Sequence, residues 1–277
     1  PNNLELSSSK FTTIEIVPTN PEQNKRSKLR SWISVERDFY YDVWYSDVFN
    51  AMQEFVFNNG KPDWIIGTCP PFSTARVTRE ISHSLDIPFV LDLRDAWSQW
   101  NISPATSWIH YRATLREEGR SLHSAFMTLT TSEQTKKDLS NLHGKEPSIH
   151  TIENGYDVNI QFPRQISWNL KEKKPITIGY VGSFYYTPEA HKLMHSKWHQ
   201  RSPHRWMHYS PRKEDWTYRS PKYFFKILQE LFKIDIVWKD RIQIAFIGSA
   251  PYWLQNMIHK YDLETITKCH GQVSLKR

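Results

Sequence analysis

Cysteine is nearly absent from this chain: Cys69 and Cys269 are the only two in 277 residues, far apart and without metal-ligand spacing. That excludes a disulfide framework and leads us to expect a reducing, cytoplasmic location. Long apolar runs are missing as well, and none approaches the roughly 18 residues that a membrane-crossing helix needs. The N-terminus shows no basic-then-apolar signal segment and no initiator Met. Neither G-x-G-x-x-G nor G-x-x-x-x-G-K-[ST] occurs, so a dehydrogenase or an NTPase loses its main support. No internal repeat is found.

What remains is the composition of a globular protein, 39% apolar and 23% charged, long enough for one large or two ordinary domains. A net charge of +7 and twelve tryptophans point to an anionic partner, whether nucleic acid, anionic lipid or a phosphorylated small molecule. Composition does not choose among these.

The spacing of apolar residues predicts a strand at Thr12–Val17 and a helix over Tyr45–Asn58, with Gly60 as its C-cap. Next come a strand at Asp63–Gly67, a helix at Thr74–Leu85 and a strand at Pro88–Leu93. A helix over Pro104–Ser124, a strand at Ala125–Leu129, a helix opened by the capping box Thr131-x-x-Gln134 and a strand at Ser148–Ile152 follow. Gln161–Pro175 reads as a Lys-rich linker. A further series has strands at Ile176–Val181, Ile242–Ile247 and Thr265–Cys269, with helices at Pro221–Phe232 (Ser220 as N-cap) and Tyr252–Lys260. This βα alternation implies an α/β protein of two Rossmann-like, doubly wound parallel-sheet domains, 1–165 and 166–277. The C-terminal domain is expected to be incomplete, and it carries a basic, aromatic insertion at about 188–220.

Open parallel sheets bind ligands at the carboxyl ends of their strands, so the residues there are the candidates. Pro71, Phe72 and Ser73 end the first strand's loop; Asp92, Arg94 and Asp95 close the next strand. Gly182, Ser183 and Phe184 follow the strand that opens the C-terminal domain, where a missing side chain lets backbone amides approach a phosphate. Arg219 and Lys222 flank the start of the Pro221 helix, where a guanidinium can pair bidentately with phosphate oxygens. Structural readings stand beside these: Gly182 as a plain turn, Arg219 as a solvated cap, Asp95 and Ser73 as helix caps, and Asn154-Gly155 as an interdomain turn. His191, His195 and His199 would share a helix face at a spacing that suits metal ligands. No carboxylate or cysteine joins them in a pattern, and no metal is expected.

Five segments, in order, resemble glycosyltransferase family 4, enzymes of the GT-B fold: Pro62–Ser73 ("PDVII-x-SSPPFS"), Asp92–Trp97 ("DFRDPW", with Ala96 for Pro), Glu118–Leu139, Ile152–Asp157 ("IPNGYD", with Glu153 for Pro) and Gly179–Tyr185 ("YVGSLY"). The resemblance implies sugar transfer, of the retaining kind, from a nucleotide-diphosphate sugar to a glycan or polyprenol-linked acceptor. It implies no cofactor and no obligatory metal, the nucleotide sugar being a co-substrate. Asp95 and Arg94 would then be catalytic, lining a cleft between the domains. Gly182, Ser183, Phe184, Arg219 and Lys222 would hold the donor; Pro71, Phe72, Ser73 and Asp92 would face the acceptor; Asn154 and Gly155 would form the hinge. The family's donor-holding glutamate motif lies downstream of Arg277, so these 277 residues alone are expected to be inactive. The 188–220 segment suggests peripheral contact with an anionic membrane at its inner face, and nucleic acid is not expected. The competing reading is a non-enzymatic basic, aromatic binding module for nucleic acid or a membrane surface; a degenerate domain without turnover is a third.

Overall fold

A computed structural model describes residue 16 and residues 41–99, 105–155, 175–212 and 215–273. The strand expected at Thr12–Val17 falls, but for Ile16, outside the described residues, as does nearly all of the expected linker. The described chain divides into two compact units, one running to residue 155 and the other starting at residue 175.

The first unit opens with helix α1 (Tyr41–Asn59), followed by β1 (Ile65–Cys69), α2 (Ser73–Leu85), β2 (Phe89–Leu93), α3 (Trp108–Ser124), β3 (Met127–Thr130), α4 (Glu133–His143) and β4 (Ile149–Thr151). The strands pair in the order β1-β2-β3-β4 and all run parallel, with Thr68 beside Asp92 and Asp92 beside Leu129. Alternation sets the faces of β2: Phe89, Leu91 and Leu93 are buried with Leu122, Leu139 and Ile149, while Val90 and Asp92 are half-buried on the other side. In α2, Val77 and Ile81 lie four apart and pack on Val48, Phe49 and Met52 of α1. Gly60 closes α1 as expected, with φ +83° and its amide donating to the Val56 carbonyl at 2.9 Å. Gly67 is needed for a different reason, close approach. A Cβ there would stand 2.3 Å from Thr78 Oγ1, so only glycine lets α2 lie against β1.

In the other unit come β5 (Ile176–Val181), α5 (Pro188–His195), α6 (Lys222–Ile234), α7 (Val237–Arg241), β6 (Ile242–Ile247), α8 (Tyr252–Lys260) and β7 (Thr267–Gly271). Three short 3₁₀ turns, Trp198–Gln200, Pro203–Arg205 and Trp216–Arg219, lie between α5 and α6. The sheet is parallel, in the order β5-β6-β7. Phe225 and Leu228 of α6, with Trp253, Leu254 and Ile258 of α8, cover the face that carries Ile242, Ile244 and Phe246.

Two helix starts differ from expectation. The N-cap of α4 is Ser132, not Thr131: its hydroxyl accepts from the Thr135 amide at 3.1 Å, while Gln134 turns outward to Asp138. Thr131 is drawn away by a tertiary partner described below. For α6 the N-cap position is Pro221, yet Ser220 Oγ still accepts from the Lys222 amide at 3.3 Å.

Replacing Gly67 with alanine should destabilise the first unit by roughly 1–3 kcal/mol through overpacking. Urea unfolding of Gly67→Ala, and of the same change with Thr78→Ala, checks this, because removing the Thr78 hydroxyl and methyl relieves the shortest contact and should recover part of the loss.

Candidate functional site

Parallel pairing sends every strand of a sheet out at the same edge, and each unit gathers polar groups there. In the first unit the meeting point is Arg94. Its amide donates to the Cys69 carbonyl at 3.1 Å, its carbonyl accepts from Thr131 Oγ1 at 3.0 Å, and its guanidinium donates to Asn154 Oδ1 at 3.2 Å. One residue therefore ties together the carboxyl ends of the four strands found among the described residues. Arg94 and the neighbouring Asp95 are both exposed. Phe72 stacks flat on Trp97, with centroids 5.3 Å apart and planes 2° from parallel, forming a wall beside that loop.

Beneath the loop is a carboxylate that sequence reasoning assigned no role. Glu118 is fully buried and takes three hydrogen bonds: from the Ser98 amide (2.9 Å), from Ser98 Oγ (2.5 Å) and with His143 Nε2 (2.7 Å). It joins the loop after β2 to α3 and α4, the sort of satisfied buried network that fixes one geometry.

The unit that starts at residue 175 gathers two Gly-Ser pairs. Gly182-Ser183 follows β5 and Gly248-Ser249 follows β6, and Ser249 Oγ donates to Ser183 Oγ at 3.0 Å. Gly248 has φ +135°, and a Cβ on it would sit 2.2 Å from the Gly182 carbonyl oxygen, so no other residue fits. The Gly182 amide, expected to face a phosphate, donates instead to the Ile247 carbonyl at 2.9 Å, continuing the strand ladder. Ser183 and Ser249 are both exposed at that edge, and with the Ser249 proton engaged by Ser183 Oγ, the Ser183 hydroxyl keeps its own proton to donate. Ser249 was missed, although the repeated dipeptide after another buried strand was a readable signal.

Ser183 and Phe184 line a cavity of about 440 Å³ together with Tyr180, Tyr218, Arg219 and Phe224. Tyr180 and Phe184 stack at 4.4 Å and 5°. Asp215 lies outside that lining but anchors the turn that carries Tyr218 and Arg219: Oδ1 accepts from the Thr217 hydroxyl (2.6 Å) and amide (3.0 Å), and Oδ2 accepts from the Tyr223 hydroxyl (3.0 Å). These bonds, the Thr217 hydroxyl first, hold the Asp215 carboxyl down at about 2. The 3₁₀ turn that presents Tyr218 and Arg219 is thereby fixed to α6.

Other candidates fall elsewhere. Lys222 lies with its ammonium 5.5 Å from the Tyr223 ring centroid and does not line the cavity. Asp92 stays within β2, half-buried. Ser73 is the first residue of α2 and is buried, rather than capping it; the N-cap position is Phe72. Pro71 is exposed and its carbonyl accepts from the Thr74 amide at 3.1 Å. Gly155 is exposed beside Asn154, whose side chain reaches back to Arg94 within its own unit. The histidine ladder does not form, because α5 ends at His195 and His199 sits in a separate turn. Among the described residues no three His, Cys, Asp or Glu side chains cluster as a metal site.

No family model matches the chain, and no curated protein matches it. Solved structures do. A sucrose-phosphate synthase from Thermosynechococcus elongatus superposes with a TM-score of 0.52 at 13% identity, over 85% of this chain and 51% of that one. HepE from Anabaena, solved in complex with UDP and glucose, gives 0.46 at 15% identity over 83% and 51%. The lipopolysaccharide outer core galactosyltransferase WaaB gives 0.46 at 12% identity over 83% and 49%. The chain spans about half the length of these neighbours. The likeness to the synthase establishes the fold: an α/β chain of Rossmann-like parallel-sheet units of the GT-B type, as expected.

Two outcomes test this geometry. Glu118→Ala should cost roughly 1–3 kcal/mol by leaving buried donors unpaired, and hydrogen exchange at the Ser98 amide should accelerate selectively. Acid should loosen the 3₁₀ wall. The depressed Asp215 carboxyl contributes stability that is complete above its unfolded value of 3.8 and fades as pH falls through about 2. The His191 imidazole, pushed down first by burial and then by His195, acts in the same direction, because its protonation favours the unfolded chain. NMR titration of the two side chains checks both directions.

Proposed function

We propose that this chain is part of a nucleotide-sugar-dependent glycosyltransferase, with the donor diphosphate held in the C-terminal unit by Ser183, Ser249 and Arg219. The observation that carries the reading is the meeting of Ser183 and Arg219 on one aromatic-walled cavity at the carboxyl end of β5. The Ser183 hydroxyl, held by the Ser249 hydroxyl that donates to it, and the Arg219 guanidinium supply hydrogen bonds to a pyrophosphate leaving group, and the flat Tyr180–Phe184 pair offers a stacking surface for a sugar or base. The GT-B fold shared with a protein described as a sucrose-phosphate synthase supports the same class. The family 4 assignment rests on the five motif segments.

In this reading Arg94 and Asp95 serve the acceptor side, Asp95 orienting the acceptor hydroxyl and Arg94 holding the loop that carries it through its bonds to Cys69, Thr131 and Asn154. The reaction is retaining: the departing phosphate oxygen takes the acceptor proton as the new glycosidic bond forms on the face the nucleotide leaves. No metal takes part in this reading; the Arg219 guanidinium offsets part of the diphosphate charge. The acceptor is a glycan or a polyprenol-linked glycan.

Isothermal titration of the full-length protein with UDP-, GDP- and dTDP-sugars should find one that binds once per chain and is displaced by its nucleoside diphosphate. Each charge-assisted hydrogen bond is worth roughly 1.5–3 kcal/mol, so Arg219→Ala should weaken that binding by about ten- to a hundredfold, and Ser249→Ala by less. Failure of every nucleotide sugar to bind would sink the reading.

A further inference from the structure

The stretch from Ala190 to Arg212 holds five Lys or Arg and five His and not one Asp or Glu. Nothing in the proposed donor site uses it. Its fold is specific, however. Arg201 points inward, donating from Nε and Nη2 to the Ser196 carbonyl (3.2 and 3.0 Å) and from Nη1 to the His208 carbonyl (2.9 Å). Trp206 Nε1 donates to the Arg201 carbonyl at 2.9 Å. One guanidinium thus closes the loop and one indole is pinned to it.

The closed loop presents apolar groups to solvent. Trp198 is 63% exposed, Trp206 48% and Met207 54%, and the two indoles meet edge to face at 6.2 Å. Exposing two ordered indoles in water is unfavourable by the same hydrophobic term that builds cores. The exposed cations Lys192, Lys197 and Arg205 lie along the same stretch. Beside Trp198 a hollow of about 460 Å³ has Leu193 and Met194 among its lining, with Lys197, His199 and Tyr209 also contributing.

We infer that the Trp198–Trp206 loop is a docking surface for an anionic phospholipid bilayer. Indoles and lysine or arginine together suit the headgroup region, where an apolar body and a polar edge are both satisfied. The absence of acids supplies charge complementarity to that surface, and juxtaposed cations add attraction to anionic lipid. The hollow offers apolar groups and cations side by side, which matches a glycerophosphate headgroup with its first acyl carbons better than it matches a bare polyanion. This inference concerns a surface outside the donor cavity and stands whether or not a nucleotide sugar binds there.

The test is co-sedimentation of the full-length protein with vesicles of phosphatidylcholine, alone or with about one third phosphatidylglycerol. Binding to the mixed vesicles should exceed binding to the neutral ones by at least about tenfold. Trp198→Ala with Trp206→Ala should lose most of it, and Lys197→Glu with Arg205→Glu should abolish the lipid preference. Melting curves and nucleotide-sugar titration of both double variants should match the parent, which separates loss of docking from loss of fold or of the donor site. Equal binding to both vesicle types, or unchanged binding by folded variants, would overturn the inference. So would displacement from vesicles by inorganic phosphate, or by a single-stranded oligonucleotide, at constant ionic strength. The last outcome would make the loop a nucleic-acid surface instead.

Discussion

Parallel strand pairing is the constraint from which the rest follows. A parallel strand cannot return by a hairpin, so each connection crosses over through a helix or a long loop and every strand leaves its sheet at the same edge. In the first unit that edge assembles Cys69, Arg94, Thr131 and Asn154 from four separate strand ends, with Arg94 bonded to the other three. In the other unit, the ends of β5 and β6 lie so close that glycine is required and two serine hydroxyls touch. Chemistry gathers at these edges because the hydrogen-bonded ladder leaves the loops nowhere else to go.

Apolar packing positions the elements, but two carboxylates set the details. Glu118 is buried and satisfied by three donors, so it holds the loop carrying Trp97 and Ser98 against α3 and α4 in one arrangement. Asp215 works at the surface, and its own hydroxyl and amide donors keep it charged far below the usual carboxylate range. Each acts through a buried hydroxyl neighbour, Ser98 in one unit and Thr217 in the other. Neither has to touch a ligand to matter.

The basic segment between α5 and α6 shows the same division of labour among like charges. Arg201 turns in and satisfies backbone carbonyls, while Lys197 and Arg205 stay in solvent beside the exposed indoles. A planar five-donor group suits the first task and a solvated cation the other. Counting charges in the segment would treat these residues as equivalent; their geometry does not.

Much of the fold was legible from periodicity. The strands Ile176–Val181 and Ile242–Ile247 and the helix Tyr252–Lys260 follow the expected bounds, because a buried strand or an amphipathic helix writes its own period into the chain. Gly60 was readable for the same local reason, whereas the helix expected to begin at Pro221 begins one residue later, at Lys222. What the sequence could not reveal were partners distant along the chain. Thr131 was expected to cap α4, but a hydrogen bond to Arg94, 37 residues away, takes its hydroxyl and leaves Ser132 to cap. The Gly182 amide was expected to be free for a ligand and is held by β6. The pairing of Ser249 with Ser183, 66 residues apart, and of Glu118 with His143 depends on tertiary contact, although the repeated Gly-Ser dipeptide marked Ser249 as a strand-end residue. By itself the amino-acid order determined the α/β elements and which residues end the strands, since those depend on short-range spacing. Tertiary structure alone decided which strand-end donors are already satisfied and which face the cavity, because that depends on what the crossover connections bring alongside.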